Sequence, residues 1–182
     1  MSPASSTHVH NPKSAHSLTR VNVLFVCLGN ICRSPTAHGV FSRQVAEAGL
    51  ADIVHVDSAG TSGWHNGSLP DERSMMEARA YGYDLSFIRS RMVTEDDFKT
   101  QDLLLAMDKS NLEDLKRQCP PEHQYKIKLF LDFAADMPTR EVPDPYYGGD
   151  EGFTRVLSLV EQGGLALLQH LKKHYLSHSL TD

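Results

Sequence analysis

The chain has 182 residues, of which 40% are hydrophobic, and a formal net charge of -5 at pH 7. These values fit one domain with a full apolar core, and the acidic balance argues against a nucleic-acid-binding protein, which usually presents a basic face. No stretch approaches the roughly 20 apolar residues that a membrane span requires, and three cysteines are too few for a secreted disulfide framework. The composition therefore favours a cytoplasmic protein with reduced thiols.

The two ends of the chain differ in composition from the middle. Residues 1–20 are rich in Ser, His and Pro and lack an apolar segment, so we predict a disordered N-terminal tail rather than a secretory signal. We predict a globular domain over residues 21–178 and a short C-terminal tail over residues 179–182. His8 and His10 give only a weak metal-binding signal. No metal site and no cofactor is predicted.

Apolar runs alternate with helical patterns along the rest of the chain. The predicted strands are residues 21–26, 53–57, 103–106 and 126–131, and the predicted helices are residues 35–48, 71–81, 109–118 and 151–175, with a short helix after a capping-box pattern at Thr94. This alternation predicts an α/β fold, a parallel sheet with helices on both faces. Ligands bind at the carboxyl ends of such strands, so the loops after the strands should share one rim.

The last helix carries an interpretable pattern. Leu165, Leu168 and Leu171 recur at helical spacing, which predicts that they share its buried face. Gly163 and Gly164 are predicted to weaken the helix at its middle, because glycine lowers helix propensity.

The most informative run of the sequence is VLFVCLGNICRSP, residues 23–35. Cys27 ends a strand, and Ser34 and Pro35 suit the N-cap and first position of a helix. The first N–H groups of that helix have no intrahelical partners and the helix dipole is positive there, so the loop can hold an anion and stabilise a thiolate nucleophile. Arg33 adds a planar fork that can grip two phosphate oxygens. The run therefore suggests nucleophilic attack on phosphorus.

The residues inside this loop suit a tight turn. Gly29 and Asn30 both tolerate positive φ, a conformation that points successive N–H groups inward. Leu28 and Ile31 would form the side-chain surface of the loop towards a substrate.

Four further motifs accompany the loop in chain order: DSAGT at residues 57–61, TEDDF at 94–98, MDKSNL at 107–112 and VPDPYYG at 142–148. With them, the chain closely resembles the low-molecular-weight protein tyrosine phosphatases over roughly residues 21–175. A bare Cys-x5-Arg is a weak signal, but joined to the distant Asp-Pro-Tyr-Tyr-Gly it is a strong one. The resemblance implies a three-layer, flavodoxin-like doubly wound fold with a four-stranded twisted parallel sheet. It also implies a phosphotyrosine-protein phosphatase, active on small aryl phosphates, that works through a phosphocysteine intermediate.

The matched residues can each be given a physical role. Cys27 would attack phosphorus, and Arg33 would bind two equatorial oxygens of the transition state. Asp144, stiffened by Pro143 and Pro145, would protonate the leaving oxygen and then, as carboxylate, activate water. Ser34 could donate its hydroxyl to the Cys27 thiolate or simply cap the helix, and the sequence leaves both readings open.

Other roles come from the resemblance. It implies that Ser58 hydrogen-bonds the Asn30 side chain and supports the loop, although an ordinary loop serine fits as well. It implies that Cys32 forms a reversible disulfide with Cys27 under peroxide, although a packing thiol remains open.

Aromatic side chains are expected around the phosphorylated ring. By resemblance, Tyr146 and Tyr147 form walls of the substrate pocket, and Trp64 adds another wall or is a lone surface aromatic.

The sequence departs from the family pattern at two places. The family commonly has Glu where His38 stands, at a helical position expected to be peripheral. It usually has a histidine where Phe87 and Ile88 stand. That histidine is thought to buttress the phosphate loop, so how this chain holds the loop is left open.

Four alternatives compete with phosphotyrosine hydrolysis. An arsenate reductase on this fold needs two further relay cysteines, and only Cys119 is left. Protein-arginine phosphatases tend to have threonine where Ile31 stands. A non-catalytic phosphopeptide-binding or redox-sensing module needs neither Cys27 nor Asp144, and a P-loop nucleotidase needs the Gly-Lys-Ser/Thr that this loop lacks. We therefore expect a phosphotyrosine-containing protein as substrate, no nucleic-acid or membrane partner, and a monomer or weak dimer.

Overall fold

The computed structural model describes residues 20–176 and contains a four-stranded parallel sheet in the order β2-β1-β3-β4. The strands are β1 (Val21–Cys27), β2 (Val54–Gly60), β3 (Leu103–Ala106) and β4 (Ile127–Leu129). The helices are α1 (Arg33–Glu47), α2 (Glu72–Ala80), α3 (Glu95–Thr100), α4 (Lys109–Gln118) and α5 (Glu151–His174), with 3-10 helices at Pro121–Lys126 and Phe130–Phe133. The predicted α/β fold is confirmed. Apart from Arg20, the predicted tails lie outside the described residues.

The side chains of β1 alternate between two cores, as the period of a strand requires. Val23 and Phe25 pack in the core that α1 and α5 cover, while Leu24 and Val26 pack in the core of α3 and α4. The sheet is therefore the middle of three layers. The same alternation puts Cys27 on the α1 side, at the carboxyl end of the central strand.

Strand β2 is longer than predicted, because Ser58, Ala59 and Gly60 belong to the strand rather than to a loop. They pair with the last three residues of β1. A Cβ atom at Gly60 would lie only 2.7 Å from the carbonyl oxygen of Leu28. The small residues mark the place where β2 passes against the loop after β1.

Strand β4 is shorter than the predicted range of 126–131. Lys126 ends a 3-10 helix, and its buried ammonium donates to the carbonyl oxygens of Phe98 and Lys99. Phe130 and Leu131 already belong to the next 3-10 helix, although both are fully buried. Apolar residues thus continued past the strand because the core continued.

Helix α1 begins earlier than predicted, and Ser34 is not its N-cap. The N-cap is Cys32, which makes no side-chain capping bond. Pro35 is the third helical residue, where its missing N–H costs nothing because the first four N–H groups of a helix lack intrahelical partners. The hydroxyl of Ser34 is therefore free for another partner.

The prediction for the buried face of α5 was wrong at one residue. Leu165 is 55% exposed, whereas Leu168 and Leu171 are buried as expected. Gly163 and Gly164 do not interrupt the helix: a Cβ on Gly163 would lie 2.8 Å from Leu131, so the glycines allow α5 to approach its neighbours closely. Close packing explains these glycines.

The capping-box pattern predicted at Thr94 is confirmed. Thr94 and Asp97 form a reciprocal capping box at the start of α3. Gly49 and Gly82 follow α1 and α2 with φ of 73° and 86°, the left-handed conformation that glycine adopts without strain. Among residues 20–176, no helix has both the length and the apolar character needed to cross a bilayer.

Candidate active site

A cavity of about 260 Å³ opens at the carboxyl end of β1. It is lined by Cys27, Leu28, Gly29, Ile31, Cys32, Arg33, Trp64, His65, Asp144, Tyr146 and Tyr147. Ten of these are predicted site residues; His65, which no motif singled out, is the addition. The predicted site residues Asn30, Ser34 and Ser58 are buried outside the lining.

The Cys27 thiol lies in a short chain of side-chain hydrogen bonds. Its Sγ is 3.0 Å from the Oγ of Ser34, and the Asn30 side-chain amide donates to that same Oγ at 2.8 Å. Because Asn30 supplies the proton on one side, the hydroxyl proton of Ser34 is available to a thiolate at Cys27, or to the Ala59 carbonyl at 3.4 Å. Of the two readings of Ser34, the geometry favours the hydrogen bond to Cys27.

The backbone of the nucleophile loop, residues 27–33, matches one of two conformational expectations. Asn30 has a φ of 54°, so the predicted left-handed residue is confirmed. Gly29 does not have a positive φ, which corrects that prediction. A side chain at Gly29 would instead meet the His65 ring, since its Cβ would lie 2.9 Å from Cδ2. Glycine is needed there for close packing against His65.

Arg33 is buried and fixed by two partners. Its Nη1 donates to the Asp108 carboxylate and, at 3.0 Å, to the Val142 carbonyl. Both protons of Nη1 are then used, which leaves Nη2 and Nε available to an oxyanion. Burial opposes the charge, but the Cys27 thiolate and Asp108 outweigh it and raise the pKa of Arg33 above its usual value.

Asp144 lies across the cavity on the acid loop, residues 142–148. Its Oδ2 is 3.7 Å from Arg33 Nη2, and its Oδ1 accepts a hydrogen bond from the Tyr146 N–H at 3.0 Å. The loop is tied to the sheet by the Val142 N–H, which donates to the Met107 carbonyl at 2.8 Å. The Asp144 side chain is 42% exposed, so it can exchange protons with solvent. A thiol, a cationic fork and a carboxyl group thus surround one anion-sized space.

The aromatic side chains stand at the mouth of this cavity. Tyr147 and Trp64 are 93% and 78% exposed, and the rings of Tyr146 and Tyr147 meet edge to face with centroids 4.9 Å apart. The structure places all three in the cavity lining, as predicted.

Ser58 makes no hydrogen bond to Asn30, which corrects the expected loop support. Its hydroxyl is 2.8 Å from the Nδ1 of His38, and His38 is buried rather than peripheral. Burial, together with the charges of His55 and Arg91, lowers the pKa of His38 to about 4 although Asp57 opposes this. The neutral imidazole of His38, rather than the side chain of Asn30, is therefore the hydrogen-bond partner of Ser58.

The support for the nucleophile loop comes from Ser90 and Arg91. The Ser90 hydroxyl donates to the Gly29 carbonyl at 2.9 Å, and the Arg91 N–H donates to the Asn30 side-chain oxygen at 3.1 Å. The Arg91 guanidinium is in turn held by Asp57 and Asp97. The role of this pair could not be predicted from the sequence, because nothing in their spacing links residues 90 and 91 to a loop about sixty residues earlier.

This arrangement answers the question that Phe87 and Ile88 raised. Ile88 is buried with Ala78 and Leu85, and Phe87 is exposed with its ring edge-on to His38, at 5.2 Å between centroids. Neither side chain makes a hydrogen bond to the loop. The loop is held without a histidine at these positions.

The remaining cysteines differ from Cys27. Cys32 is buried in the cavity lining, and burial together with the charge of Asp71 raises the pKa of its thiol to about 12. Cys119 packs in the core of α3 and α4, on the other face of the sheet. Within residues 20–176, no group of three or more His, Cys, Asp or Glu side chains is placed to hold a metal ion.

Comparison with known proteins agrees with this geometry. The family model described as low molecular weight phosphotyrosine protein phosphatase matches residues 22–177. A protein of that description from Schizosaccharomyces pombe is 43% identical over 134 residues, covering 73% of this chain and 85% of the relative. A crystal structure of a protein tyrosine phosphatase from Entamoeba histolytica, with Hepes in its active site, is 40% identical with a TM-score of 0.81 and covers 84% of this chain and 97% of that one.

The fold also carries a neighbouring activity. A crystal structure of a Drosophila arginine phosphatase is 32% identical with a TM-score of 0.77, and the match covers 82% of this chain and 97% of that one. The match of the family model over most of the chain decides the family. The chain belongs to the low molecular weight phosphotyrosine protein phosphatases.

Proposed function

We propose that this protein is a phosphotyrosine-protein phosphatase that also hydrolyses small aryl phosphates through a phosphocysteine intermediate. The observation that carries the proposal is that Cys27, Arg33 and Asp144 line one cavity, with the Asp144 carboxylate 3.7 Å from Nη2 of Arg33. It supports a reaction in which Cys27 is the nucleophile and Asp144 the proton donor to a phosphoryl group bound between them.

The first step transfers the phosphoryl group to Cys27. The Sγ–P bond forms as the bond from phosphorus to the phenolic oxygen breaks, and Asp144 gives its proton to that oxygen. Nη2 and Nε of Arg33, with the N–H groups of the nucleophile loop, take up the charge that spreads over the equatorial oxygens.

The second step returns the free enzyme. The Asp144 carboxylate takes a proton from water, the water oxygen bonds to phosphorus, and the S–P bond breaks to release phosphate. Ser34, 3.0 Å from Sγ, donates its hydroxyl proton in a hydrogen bond to the departing thiolate. We assign Asn30 the task of orienting that hydroxyl.

The walls of the cavity support an aryl substrate. Ile31, Tyr146, Tyr147 and Trp64 line it and suit the ring of phosphotyrosine. The arginine phosphatases of the family tend to have threonine in place of Ile31, so we propose phosphotyrosine rather than phosphoarginine.

We further propose a cytoplasmic, redox-regulated enzyme with a phosphatase domain over residues 21–178, working as a monomer or weak dimer without a nucleic-acid or membrane partner.

Cys27 and Cys32 lie in one loop and both line the cavity, which supports a reversible disulfide under peroxide. Brief peroxide treatment should inactivate the enzyme and a thiol reductant should restore it. Loss that the reductant fails to reverse would contradict the disulfide.

A side-by-side rate measurement tests the substrate class. We expect turnover of a phosphotyrosine peptide to exceed that of phosphoarginine and of arsenate with a thiol reductant, with the Cys27→Ser variant inactive on all three. Faster turnover of phosphoarginine or arsenate would overturn the assignment.

A further inference from the structure

Arg73 stands behind the acid loop, outside the cavity lining. It lies in the first turn of α2, two residues after the N-cap Asp71. Its guanidinium carbon is 4.6 Å from the centre of the Phe153 ring, in the first turn of α5, and 5.4 Å from the centre of the Tyr146 ring. One cationic side chain of α2 therefore contacts both α5 and the acid loop.

The hydrogen bonds of Arg73 join the two halves of the active site. Its Nη2 donates to the Tyr146 carbonyl at 3.1 Å, and its Nε and Nη2 form a fork on the Asp71 carboxylate at 3.2 and 3.1 Å. The Asp71 N–H donates to the Ile31 carbonyl at 2.7 Å. A continuous path thus runs from the nucleophile loop through Asp71 and Arg73 to the acid loop.

The path ends on the residue that orients the proposed proton donor. The Tyr146 N–H holds the Asp144 carboxylate at 3.0 Å, and the carbonyl of that same Tyr146 is held by Arg73. Holding the Tyr146 carbonyl therefore restrains the residue whose N–H orients Asp144. The acid loop is otherwise open to solvent at Tyr147.

We propose that Arg73 is a positioning residue for proton transfer, setting the distance of Asp144 from the nucleophile loop. The proposal rests on the function proposed for Asp144. A lysine cannot replace the arginine, because it lacks the planar fork that reaches Asp71 and the Tyr146 carbonyl together and stacks poorly on two rings. A misplacement of about 1 Å between reacting groups can cost on the order of a hundredfold in rate.

The test compares two substrates that differ in their need for a proton. Phenyl phosphate has a poor leaving group and p-nitrophenyl phosphate a good one. For Arg73→Gln and Arg73→Lys we expect kcat/KM to fall by about tenfold or more on phenyl phosphate and by less than about threefold on p-nitrophenyl phosphate. The matched control is Arg79→Gln, at an exposed position on the same helix, which should leave both values unchanged.

A double-mutant cycle separates positioning from general damage. In the Asp144→Asn background, Arg73→Gln should cause no further loss, because there is no proton left to position. Equal losses on both substrates, or a further loss in the Asp144→Asn background, would overturn the inference. If Asp144→Asn itself shows no dependence on the leaving group, the proposed role of Asp144 fails, and this inference with it. If only Arg73→Gln and Arg73→Lys lack that dependence, the inference alone fails.

Discussion

The two loops that form the active site differ in burial and in hydrogen bonding. In the nucleophile loop Cys27, Asn30 and Arg33 are buried. Hydrogen bonds hold Asn30 on both sides and Ser34 against Cys27. The acid loop is open to solvent. The Asp144 side chain is 42% exposed, and Tyr147, three residues later, is 93% exposed. The nucleophile loop is held in place by hydrogen bonds, whereas the acid loop is a surface segment.

The difference follows from what each loop does in the proposed reaction. Stabilising the charge that spreads over phosphoryl oxygens requires donors that are already oriented, since reorientation during the reaction would cost free energy. A proton donor must meet many leaving groups and exchange with water, so exposure suits it.

Replacement of Cys27 by serine tests the nucleophile loop itself. We expect hydrolysis of aryl phosphates to fall by at least about 10⁴-fold, because a hydroxyl is a far weaker nucleophile than a thiolate. Steady-state rates on p-nitrophenyl phosphate measure this, and Cys119→Ser on the other face of the sheet serves as control. Substantial residual turnover in Cys27→Ser would rule out the cysteine mechanism.

Replacement of Asp144 by asparagine tests the acid loop and should have a smaller, substrate-dependent effect. We expect kcat/KM for phenyl phosphate to fall by about 10²–10³-fold, and that for p-nitrophenyl phosphate by less than about tenfold, since a good leaving group departs without a proton. Equal slowing of the two substrates would contradict the role of Asp144 as acid.

Acid should destabilise the folded protein through His38, which is buried behind β2 in neutral form with a pKa of about 4 against an ordinary 6.5. As the pH falls from 7 to 4 the unfolded chain takes up a proton that the folded chain refuses, so stability is lost over this range, by at most about 3 kcal/mol. Urea unfolding of wild type and His38→Gln at several pH values measures the loss.

The variant should show a flatter profile than the wild type between pH 7 and 4. His123→Gln, on the 3-10 helix beside β4, is the control and should keep the wild-type profile. Parallel profiles for wild type and His38→Gln would refute the assignment to His38.

Two buried serines provide the smallest test, because only one of them contacts the nucleophile loop. Ser90→Ala removes the hydrogen bond to the Gly29 carbonyl, and Ser58→Ala removes the one to His38. At about 1 kcal/mol for such a bond, we expect kcat/KM to fall by about fivefold in Ser90→Ala and to change little in Ser58→Ala. A larger fall in Ser58→Ala than in Ser90→Ala would show instead that Ser58 supports the nucleophile loop.

The residues that line the site could be predicted from the sequence because they lie in local patterns. A few neighbouring residues are enough to recognise the strand that ends in Cys27, the helix start after Arg33 and the Asp144 stiffened by two prolines. The fold was predictable for the same reason, since periodicity is local and the crossover rule turns alternation into topology.

The contacts that hold the site were not predictable, because they join distant segments. Whether Asn30 is held by Ser58 or by Arg91 depends on how two loops meet, and neither partner leaves a local pattern. Gly163 in α5 shows the same dependence on distant contacts. Its composition suggests a weak helix, but glycine is needed there because Leu131 packs closely against the helix. Exposure of Leu165 likewise depends on which face the neighbours cover.

The central claim is that Cys27 carries the phosphoryl group between the two steps. Rapid mixing of the Asp144→Asn variant with p-nitrophenyl phosphate, followed by quenching and peptide mass spectrometry, tests this directly, because the good leaving group departs unaided while attack by water is slowed. We predict a burst of about one nitrophenolate per enzyme and a phosphoryl group on the peptide that contains Cys27. Turnover without a burst, or a phosphoryl group on another residue, would contradict the mechanism.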